Sequence, residues 1–315
     1  MPSDQTNQHY VAPFDRDEPI VHADDVAVDS KVRNAWTDAW NSLRKRVMFW
    51  ISAIMIVFII FVALFPGVFT SVSPTLGCDL AKSLAGPESG HPFGFDRQGC
   101  DIYARTIYGT RASLTVGLLT TLLVTVVGTI LGAFAGYFGG WVDAIISRLG
   151  DIFYAIPTVL GAIVLMTVLP TRNVFSVSIA LALFAWPQVT RIARGAVLGA
   201  SRSDYVMAAN SLGLSRMRTL MRHVLPNALP PIIVIATVSL GTFIVAEATL
   251  SFLGIGLPPS TMSWGNDIQA ARTSMITDPQ VLLYPSAALS VTVLAFLLLG
   301  DVVRDALDPE ERARR

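Results

Sequence analysis

The chain has 315 residues, and its 23 Lys and Arg balance 23 Asp and Glu, so its formal net charge is zero. Charged residues make up 15% and hydrophobic residues 52%, whereas a soluble domain carries about 25% charged residues. The neutral balance argues against a nucleic-acid-binding protein, which is expected to show a basic face. The mean hydropathy of +0.55 and the long apolar runs exclude ordinary soluble domains and indicate a polytopic membrane protein.

A membrane-spanning helix needs about 20 mostly apolar residues. The charge-free windows of this length cover residues 47–65, 112–142, 152–171, 173–190, 224–246 and 279–300. Continuous apolar runs favour helices over the strands of a membrane barrel, whose apolar residues would alternate with polar ones. The sequence therefore predicts an all-α membrane protein with six transmembrane helices, and Pro157 is expected to kink the third.

The distribution of Lys and Arg predicts the orientation. If the N-terminus is cytoplasmic, 17 of the 23 basic residues fall on cytoplasmic segments. The others, on outer segments, are Lys82, Arg97, Arg105, Arg111, Arg172 and Arg272. The positive-inside rule then predicts that both termini are cytoplasmic. The apolar run that begins at residue 47 is too long and too far along the chain for a signal peptide, so we interpret it as a retained span.

These boundaries divide the chain into four segments. Residues 1–46 form a polar cytoplasmic tail that is expected to be largely disordered, and its first 30 residues are acidic. The basic end of this tail suits anionic lipid headgroups. Residues 47–110 hold the first transmembrane helix and an outer loop, residues 111–305 form a five-helix core, and residues 306–315 form a cytoplasmic C-terminal tail.

The outer loop holds the two cysteines of the chain, Cys78 and Cys100. Outside the cytoplasm they meet an oxidising environment, in which a pair of cysteines is more often bridged than reduced. The alternative is two unrelated buried thiols, and the sequence leaves both interpretations open.

Four glycines, Gly128, Gly132, Gly136 and Gly140, recur every four residues. This spacing places them on one helical face, where the absence of side chains lets another backbone approach closely. A pore lining is the functional alternative, but the pattern favours helix packing.

Several polar or aromatic residues lie near the predicted membrane surfaces. Glu247 is toward the outer end of the fifth span, where an ionisable residue is a functional candidate, although one carboxylate does not make a proton relay. Trp264, in a second outer loop at 253–278, is expected to mark the membrane interface, and that loop is expected to carry a short helix. Arg148 and Asp151 are three residues apart and are expected to pair.

The most informative part of the sequence is the cytoplasmic loop at 204–226, which predicts two short helices joined at Gly213. Glycine can adopt the left-handed conformation that ends a helix. Candidate helix caps are Ser203, Asp204 and Ser215. The predicted apolar stripes are Tyr205, Ala208, Ala209 and Leu212 on the first helix, and Met217, Leu220, Met221 and Val224 on the second. Pro226 is expected to break the second helix. Helices this short need a partner, either the inner face of the same protein or another subunit.

This loop resembles the "EAA" loop of binding-protein-dependent ABC importer permeases. The matching residues are Ala208, Ala209, Gly213, Leu225 and Pro226, while Met207 stands at the usual Glu position and His223 at the usual Ile position. Further matches along residues 45–309 include His91-Pro92-Phe93-Gly94, Ile107-Tyr108-Gly109, Ser251-Phe252-Leu253-Gly254-Ile255-Gly256 and Gly300-Asp301. They are similar to the dipeptide, oligopeptide and nickel subfamily, and most of all to the permease C subunit of dipeptide and oligopeptide importers.

The resemblance implies a type I importer permease in the bacterial cytoplasmic membrane, a transporter subunit without enzymatic activity. Its loop would dock on a cytoplasmic ATPase and transmit ATPase closure to the spans. The residues implied in this coupling are Tyr205, Met207, Ala208, Ala209, Asn210, Leu212, Gly213, Ser215, Arg218, His223 and Pro226. Met207 removes one charge from that contact, and an exposed ion pair is worth at most about 1 kcal/mol.

The implied partners are a homologous second permease that completes a heterodimer, two ATPase subunits, an extracytoplasmic substrate-binding protein and membrane lipid, with no nucleic acid. A phosphate-binding loop needs Gly-x-x-x-x-Gly-Lys-Ser/Thr, and no lysine of this chain follows a glycine. The chain is therefore expected to bind no cofactor, while ATP and Mg²⁺ bind to the partner ATPases.

Alternative functions remain. The same architecture would also suit import of nickel or another small solute, because the sequence is nearly silent on cargo. An intramembrane enzyme would need a nucleophile–base pair or a metal site at membrane depth, and the sequence offers neither. A passive channel is disfavoured by the helical pattern of the 204–226 loop.

Overall fold

The computed structural model describes residues 35–307, so residues 1–34 and 308–315, with most of the two predicted tails, lie outside the described part. The helices, in chain order, are α1 (Ala35–Leu43), α2 (Val47–Leu64), α3 (Pro66–Phe69), α4 (Ile102–Phe138), α5 (Gly140–Tyr154), α6 (Thr158–Val168), α7 (Val174–Ser201), α8 (Asp204–Ser211), α9 (Arg216–Thr219), α10 (Leu225–Phe252), α11 (Trp264–Ala271) and α12 (Gln280–Leu307). The chain from Ala39 onward forms one compact unit. Helix α1 lies in the segment predicted to be largely disordered.

Within residues 35–307, five helical stretches are long and apolar enough to cross a membrane, or six if α5 and α6 together form one broken span. The five are α2, α4, α7, the run Arg216–Phe252 and α12. Helices α5 and α6 meet at an angle of 82°, and Pro157 precedes the first residue of α6. Proline lacks the N–H that would continue the helical ladder, so the break lies where the sequence predicts a kink.

The central contact of the bundle is the packing of α4 on α7, and three glycines allow it. A Cβ at Gly132 would lie 2.6 Å from the Ala193 Cβ. A Cβ at Gly128 or at Gly136 would meet α7 at 2.7 Å. Real Cβ atoms do not approach other atoms so closely, so glycine permits this separation of the two helices.

The fourth glycine of the pattern does not belong to this face, so the prediction is wrong for Gly140. Helix α4 ends at Phe138. Gly139 and Gly140 both have positive φ, and Gly140 begins α5 with no atom within 4 Å of its Cβ position. The chain turns here because two consecutive glycines adopt backbone conformations that other residues avoid.

A continuous helix runs from Arg216 to Phe252 through α9, a π-helical turn at Leu220–Val224 and α10. The predicted break at Pro226 is therefore wrong. In the π turn the Leu225 N–H donates to the Leu220 carbonyl oxygen, a wider ladder than in an α-helix. Pro226 directly follows this π turn, whose wider ladder accommodates a residue that lacks an N–H.

The bundle has two distinct ends. One end, which we call the loop end, carries residues 70–101, residues 253–263 and α11. The other, which we call the α8 end, carries α8 and α9. Since α4 begins at Ile102 and runs through the whole bundle, the predicted boundary between residues 110 and 111 falls inside a helix. The helix Arg216–Phe252 joins the α8 end to the loop end.

Candidate functional site

The 204–226 segment is seated on the bundle through a narrow apolar face. Val206 and Ala209, one turn apart on α8, are buried. Val206 packs in one cluster with Leu220 and Val224 of the π turn. The same cluster includes Ala133 of α4, Val197 of α7 and Ala228 of α10. The segment is thereby fixed to three spans by side chains that water does not reach.

The opposite face of this segment is exposed and apolar. Leu212 is 82% exposed and Met207 is 53% exposed. The exposed large apolar side chains, which we call the α8-end patch, are Tyr205, Met207, Leu212, Met217 and Met221. The two predicted stripes are thus divided, because Ala209, Leu220 and Val224 pack on the chain's own bundle while the other members face outward. A patch of this kind outside the spans is typical of a protein interface.

Gly213 has φ +82° and ends α8. Its N–H donates to the Asn210 carbonyl oxygen at 3.0 Å, and the Leu214 N–H donates to the Ala209 carbonyl oxygen at 3.3 Å. This is the Schellman pattern of helix termination, which requires a left-handed residue at the position of Gly213. Ser203 and Ser215 precede α8 and α9 at the predicted cap positions, but neither side chain caps its helix.

The remaining residues expected in coupling lie around the α8-end patch. Ala208, Asn210, Ser215 and Arg218 are exposed, while His223 and Pro226 are half-buried. Three arginines border the patch at Arg216, Arg218 and Arg222. With Asp204 as the nearby exposed carboxylate on α8, the border is mainly basic.

Two ion pairs hold α5 against α7 near the α8 end. Arg194 donates to Asp143 through Nε at 2.5 Å and Nη2 at 2.6 Å. Arg191 donates to Asp151 at 2.8 Å. The predicted Arg148–Asp151 pair is therefore wrong, because a neighbouring helix supplies the cation for Asp151.

At the loop end, residues 70–101 fold into a cross-linked loop. The structure joins Cys78 and Cys100 in a disulfide, with a Cα–Cα distance of 4.2 Å. The His91 Nδ1 lies 2.5 Å from Asp101 Oδ2. Asp101 also caps α4, since its Oδ1 accepts a hydrogen bond from the Ala104 N–H. The loop is thus attached to the first turn of α4.

A cavity of about 490 Å³ lies beneath this loop, between the start of α4, α11 and the start of α12. Its wall includes Arg105 and Asp267, which form a buried ion pair. Asp96 lies 3.5 Å from Arg105 on the other side. Burial raises the pKa of the Asp267 carboxyl, and the charge of Arg105 acts in the opposite direction. Asp267 lies 162 positions after Arg105 in the chain, so local sequence patterns give no sign of this pair.

Trp264 is 1% exposed and lies inside the bundle, so its expected place at the membrane interface is wrong. The indole Nε1–H donates to the Thr106 carbonyl oxygen at 3.0 Å. The expected short helix of this loop is α11, and Trp264 is its first residue. Buried tryptophan with a satisfied N–H anchors α11 to α4.

The fold is that of a multi-pass, all-α membrane protein with an exposed apolar patch at its α8 end. A family model for the "binding-protein-dependent transport system inner membrane component" matches residues 128–313. A second model, for the "N-terminal TM domain of oligopeptide transport permease C", matches residues 34–87. The chain belongs to the binding-protein-dependent transport permeases, the inner-membrane subunits of ABC importers.

Named relatives agree with this assignment. The glutathione transport system permease protein GsiD of Shigella flexneri serotype 5b is 38% identical over 295 residues, which cover 94% of this chain and 97% of the relative. The GsiD proteins of Shigella boydii serotype 4 and Escherichia coli O157:H7 are 36% identical over the same length and the same shares.

A solved structure shows the same fold. The MetNI methionine ABC transporter in inward-facing conformations contains a chain with a TM-score of 0.55 and 18% identity. The match covers 65% of this chain and 96% of that one. A second crystal form of MetNI gives a TM-score of 0.53 at 19% identity, with coverages of 64% and 95%.

The family defines several properties of the chain. It is a multi-pass inner-membrane subunit of an ABC importer and not an enzyme, and ATP hydrolysis belongs to a separate subunit. Its partners therefore include an ATPase and a substrate-binding protein. These properties agree with the expectations drawn from the sequence.

Proposed function

We propose that this permease imports short peptides as one half of a heterodimeric pathway, the other half being a homologous permease. The main support is the 38% identity to a glutathione permease across almost the whole chain, since glutathione is itself a tripeptide. The oligopeptide permease C model at residues 34–87 points to the same class of cargo. In this proposal the binding protein delivers the peptide at the loop end.

The α8 end faces the cytoplasm in this proposal, and both termini are cytoplasmic. The excess of Lys and Arg on the segments at that end supports this orientation. The Cys78–Cys100 disulfide at the opposite end is an independent support, because disulfides persist in the oxidising environment outside the cytoplasm.

The α8-end patch is the proposed docking surface for the ATPase. Exposed methionine, tyrosine and arginine are enriched at protein interfaces, and Met207, Tyr205 and Arg218 all lie at this surface. Methionine side chains adapt to a partner's shape, so Met207 can make an apolar contact where related permeases carry Glu. ATP and Mg²⁺ would bind to the ATPases, and this chain would bind neither.

Transport would follow from alternating access. The ATPases close when they bind ATP, and a closed pair favours one arrangement of the spans over the other. Once docked, the 204–226 segment would move with the ATPase. It would carry the spans with it, because Val206, Leu220 and Val224 fix the segment to the bundle. The continuous helix Arg216–Phe252 would then carry this movement toward the loop end.

The proposal is tested by uptake in cells that lack this chain, with and without a plasmid that restores it. Labelled dipeptide, labelled glutathione and labelled nickel are supplied in parallel. We expect restoration to increase uptake of the peptides and not of nickel. Restoration of nickel uptake alone would overturn the peptide assignment. Restoration of peptide uptake in cells that also lack the ATPase would overturn the proposed coupling to ATP hydrolysis.

A further inference from the structure

The loop end contains a carboxyl group that the proposed transport path does not use. Glu247 lies in the last part of α10 and is 0% exposed. An ionisable side chain at such a position is costly to bury, so its partners indicate what it does. Those partners come from three separate parts of the chain.

Three serine hydroxyls surround this carboxyl group. The Ser251 hydroxyl, one turn later on α10, donates to Glu247 Oε1 at 2.8 Å. Ser113 of α4 and Ser263, which precedes α11, face the same carboxyl group. Glu247 Oε2 is buried and makes no hydrogen bond of standard geometry within residues 35–307.

Each of these serines also accepts a hydrogen bond from a backbone N–H of the segment that follows α10, one in the loop and two in the first turn of α11. The Leu257 N–H donates to the Ser251 Oγ, and the Trp264 N–H donates to the Ser113 Oγ, both at 3.2 Å. The Asn266 N–H donates to the Ser263 Oγ at 3.2 Å. A serine oxygen that accepts a backbone hydrogen bond keeps its own hydrogen free to donate. The Ser251 hydroxyl therefore links the loop to Glu247 directly, while Ser113 and Ser263, which hold the first turn of α11, lie beside the same carboxyl group.

The contact between the segment 253–265 and α10 is closely packed. A Cβ at Gly256 would lie 2.5 Å from the Ser251 backbone nitrogen, and a Cβ at Gly265 would lie 2.7 Å from the Ala248 Cα. Residues 253–265 are thus seated directly on α10, with no room for side chains at these two glycines. The polar cluster lies beneath this seat and fixes its position.

We propose that Glu247 is a positioning residue that makes α11 move together with α10. This inference rests on the proposed function, in which α10 carries movement from the 204–226 segment. Residues Asn266, Asp267, Gln269 and Ala270 of α11 line the loop-end cavity. A displacement of α10 would therefore reshape that cavity when the Glu247 cluster makes α11 follow α10.

The test uses the whole importer, reconstituted in lipid vesicles with its ATPases and binding protein, and measures peptide taken up per ATP hydrolysed. Replacement of Glu247 by Ala is expected to lower this ratio about ten-fold, equivalent to about 1.4 kcal/mol of coupling, while ATP hydrolysis continues. Glu247→Gln keeps the shape and a hydrogen-bonding amide, so it is expected to retain the ratio. Thr249→Val is the matched control, because the Thr249 hydroxyl donates only within α10, to the Val245 carbonyl oxygen.

If Glu247 had a merely structural role, Glu247→Ala would lower peptide uptake and ATP hydrolysis together, and that result would overturn the proposal. An unchanged ratio of peptide taken up to ATP hydrolysed in Glu247→Ala would also overturn it. If Glu247→Ala does not accumulate in the membrane, the paired change Ser113→Ala and Ser263→Ala carries the same expectation and the same contrary outcomes. Failure of the wild-type complex to import peptide would instead refute the proposed function, so the two failures are distinguishable.

Discussion

Arg105 donates two hydrogen bonds to the same oxygen of Asp267, from Nε at 2.9 Å and from Nη2 at 2.5 Å to Oδ1. The two residues are 162 positions apart in the sequence, and the pair joins the start of α4 to α11. Both side chains are at most 12% exposed. The pair therefore cross-links two walls of the loop-end cavity with little screening by water.

Loss of one partner of this pair should be strongly destabilising. We expect Arg105→Ala to lower the free energy of unfolding by about 3–5 kcal/mol, because it leaves a buried carboxylate unpaired. The double variant Arg105→Ala with Asp267→Ala should lose less than the sum of the two single variants. Thermal unfolding of the purified subunit in detergent measures both effects. Lys82→Met, which breaks the exposed Lys82–Glu88 pair, is the control and should change the free energy of unfolding little. An equal loss of stability in Lys82→Met and Arg105→Ala would contradict this expectation.

The α4–α7 contact predicts opposite effects for two glycines. Gly132→Leu should destabilise the subunit by about 1–3 kcal/mol or more, because even its Cβ would lie 2.6 Å from the Ala193 Cβ. Gly195→Ala on α7 is the matched control, since no atom lies within 4 Å of its Cβ position. Alanine favours a helix over glycine by about 1 kcal/mol, so this variant should be neutral or more stable. Similar melting temperatures for the two variants would contradict the packing described here.

Gly213 should matter for its backbone conformation and not for space. Nothing lies within 4 Å of its Cβ position, but its φ is +82°. Gly213→Val should therefore abolish or uncouple peptide uptake, because a β-branched residue resists this conformation. Gly213→Asn should retain most of the uptake, because asparagine adopts left-handed backbone more easily. The comparison is made at equal abundance in the membrane, and wild-type uptake by the Val variant would refute the role.

The α8-end patch predicts a defect in assembly without a defect in folding. Leu212→Asp should reduce co-purification of the ATPase while leaving the melting temperature of the permease unchanged, because Leu212 is largely exposed. Val206→Asp, on the buried side of α8, should instead destabilise the permease itself. Undiminished co-purification of the ATPase with the Leu212 variant would argue against this docking surface.

The sequence predicts the spans and the first helix of the 204–226 segment well, because apolar runs and the Gly213 stop are local signals. It places the start of the core wrongly for a reason that involves distant residues, whereas Gly140 leaves the predicted face because Gly139 and Gly140 turn the chain locally. Windows free of charge exclude Arg105 and Arg111, yet both lie within α4, because Asp267 and the Ala63 carbonyl oxygen satisfy them. Local spacing gives no sign of such partners.

The same limit applies to Glu247. A single carboxylate in an apolar run is visible in the sequence, but Ser113 and Ser263 are supplied by other elements of the fold. Pro226 shows the opposite case. The sequence predicts that this proline ends a helix, but the helix continues because a π turn widens it just before Pro226.

The central claim is that this chain couples ATP hydrolysis to peptide import. Its most direct test is accumulation of a labelled dipeptide or of glutathione in vesicles that contain the permease pair, the ATPases and the binding protein. The account predicts accumulation that requires ATP and the binding protein, with little in vesicles whose complex carries Gly213→Val. Equal peptide entry without ATP, or with the Gly213→Val complex, would contradict it.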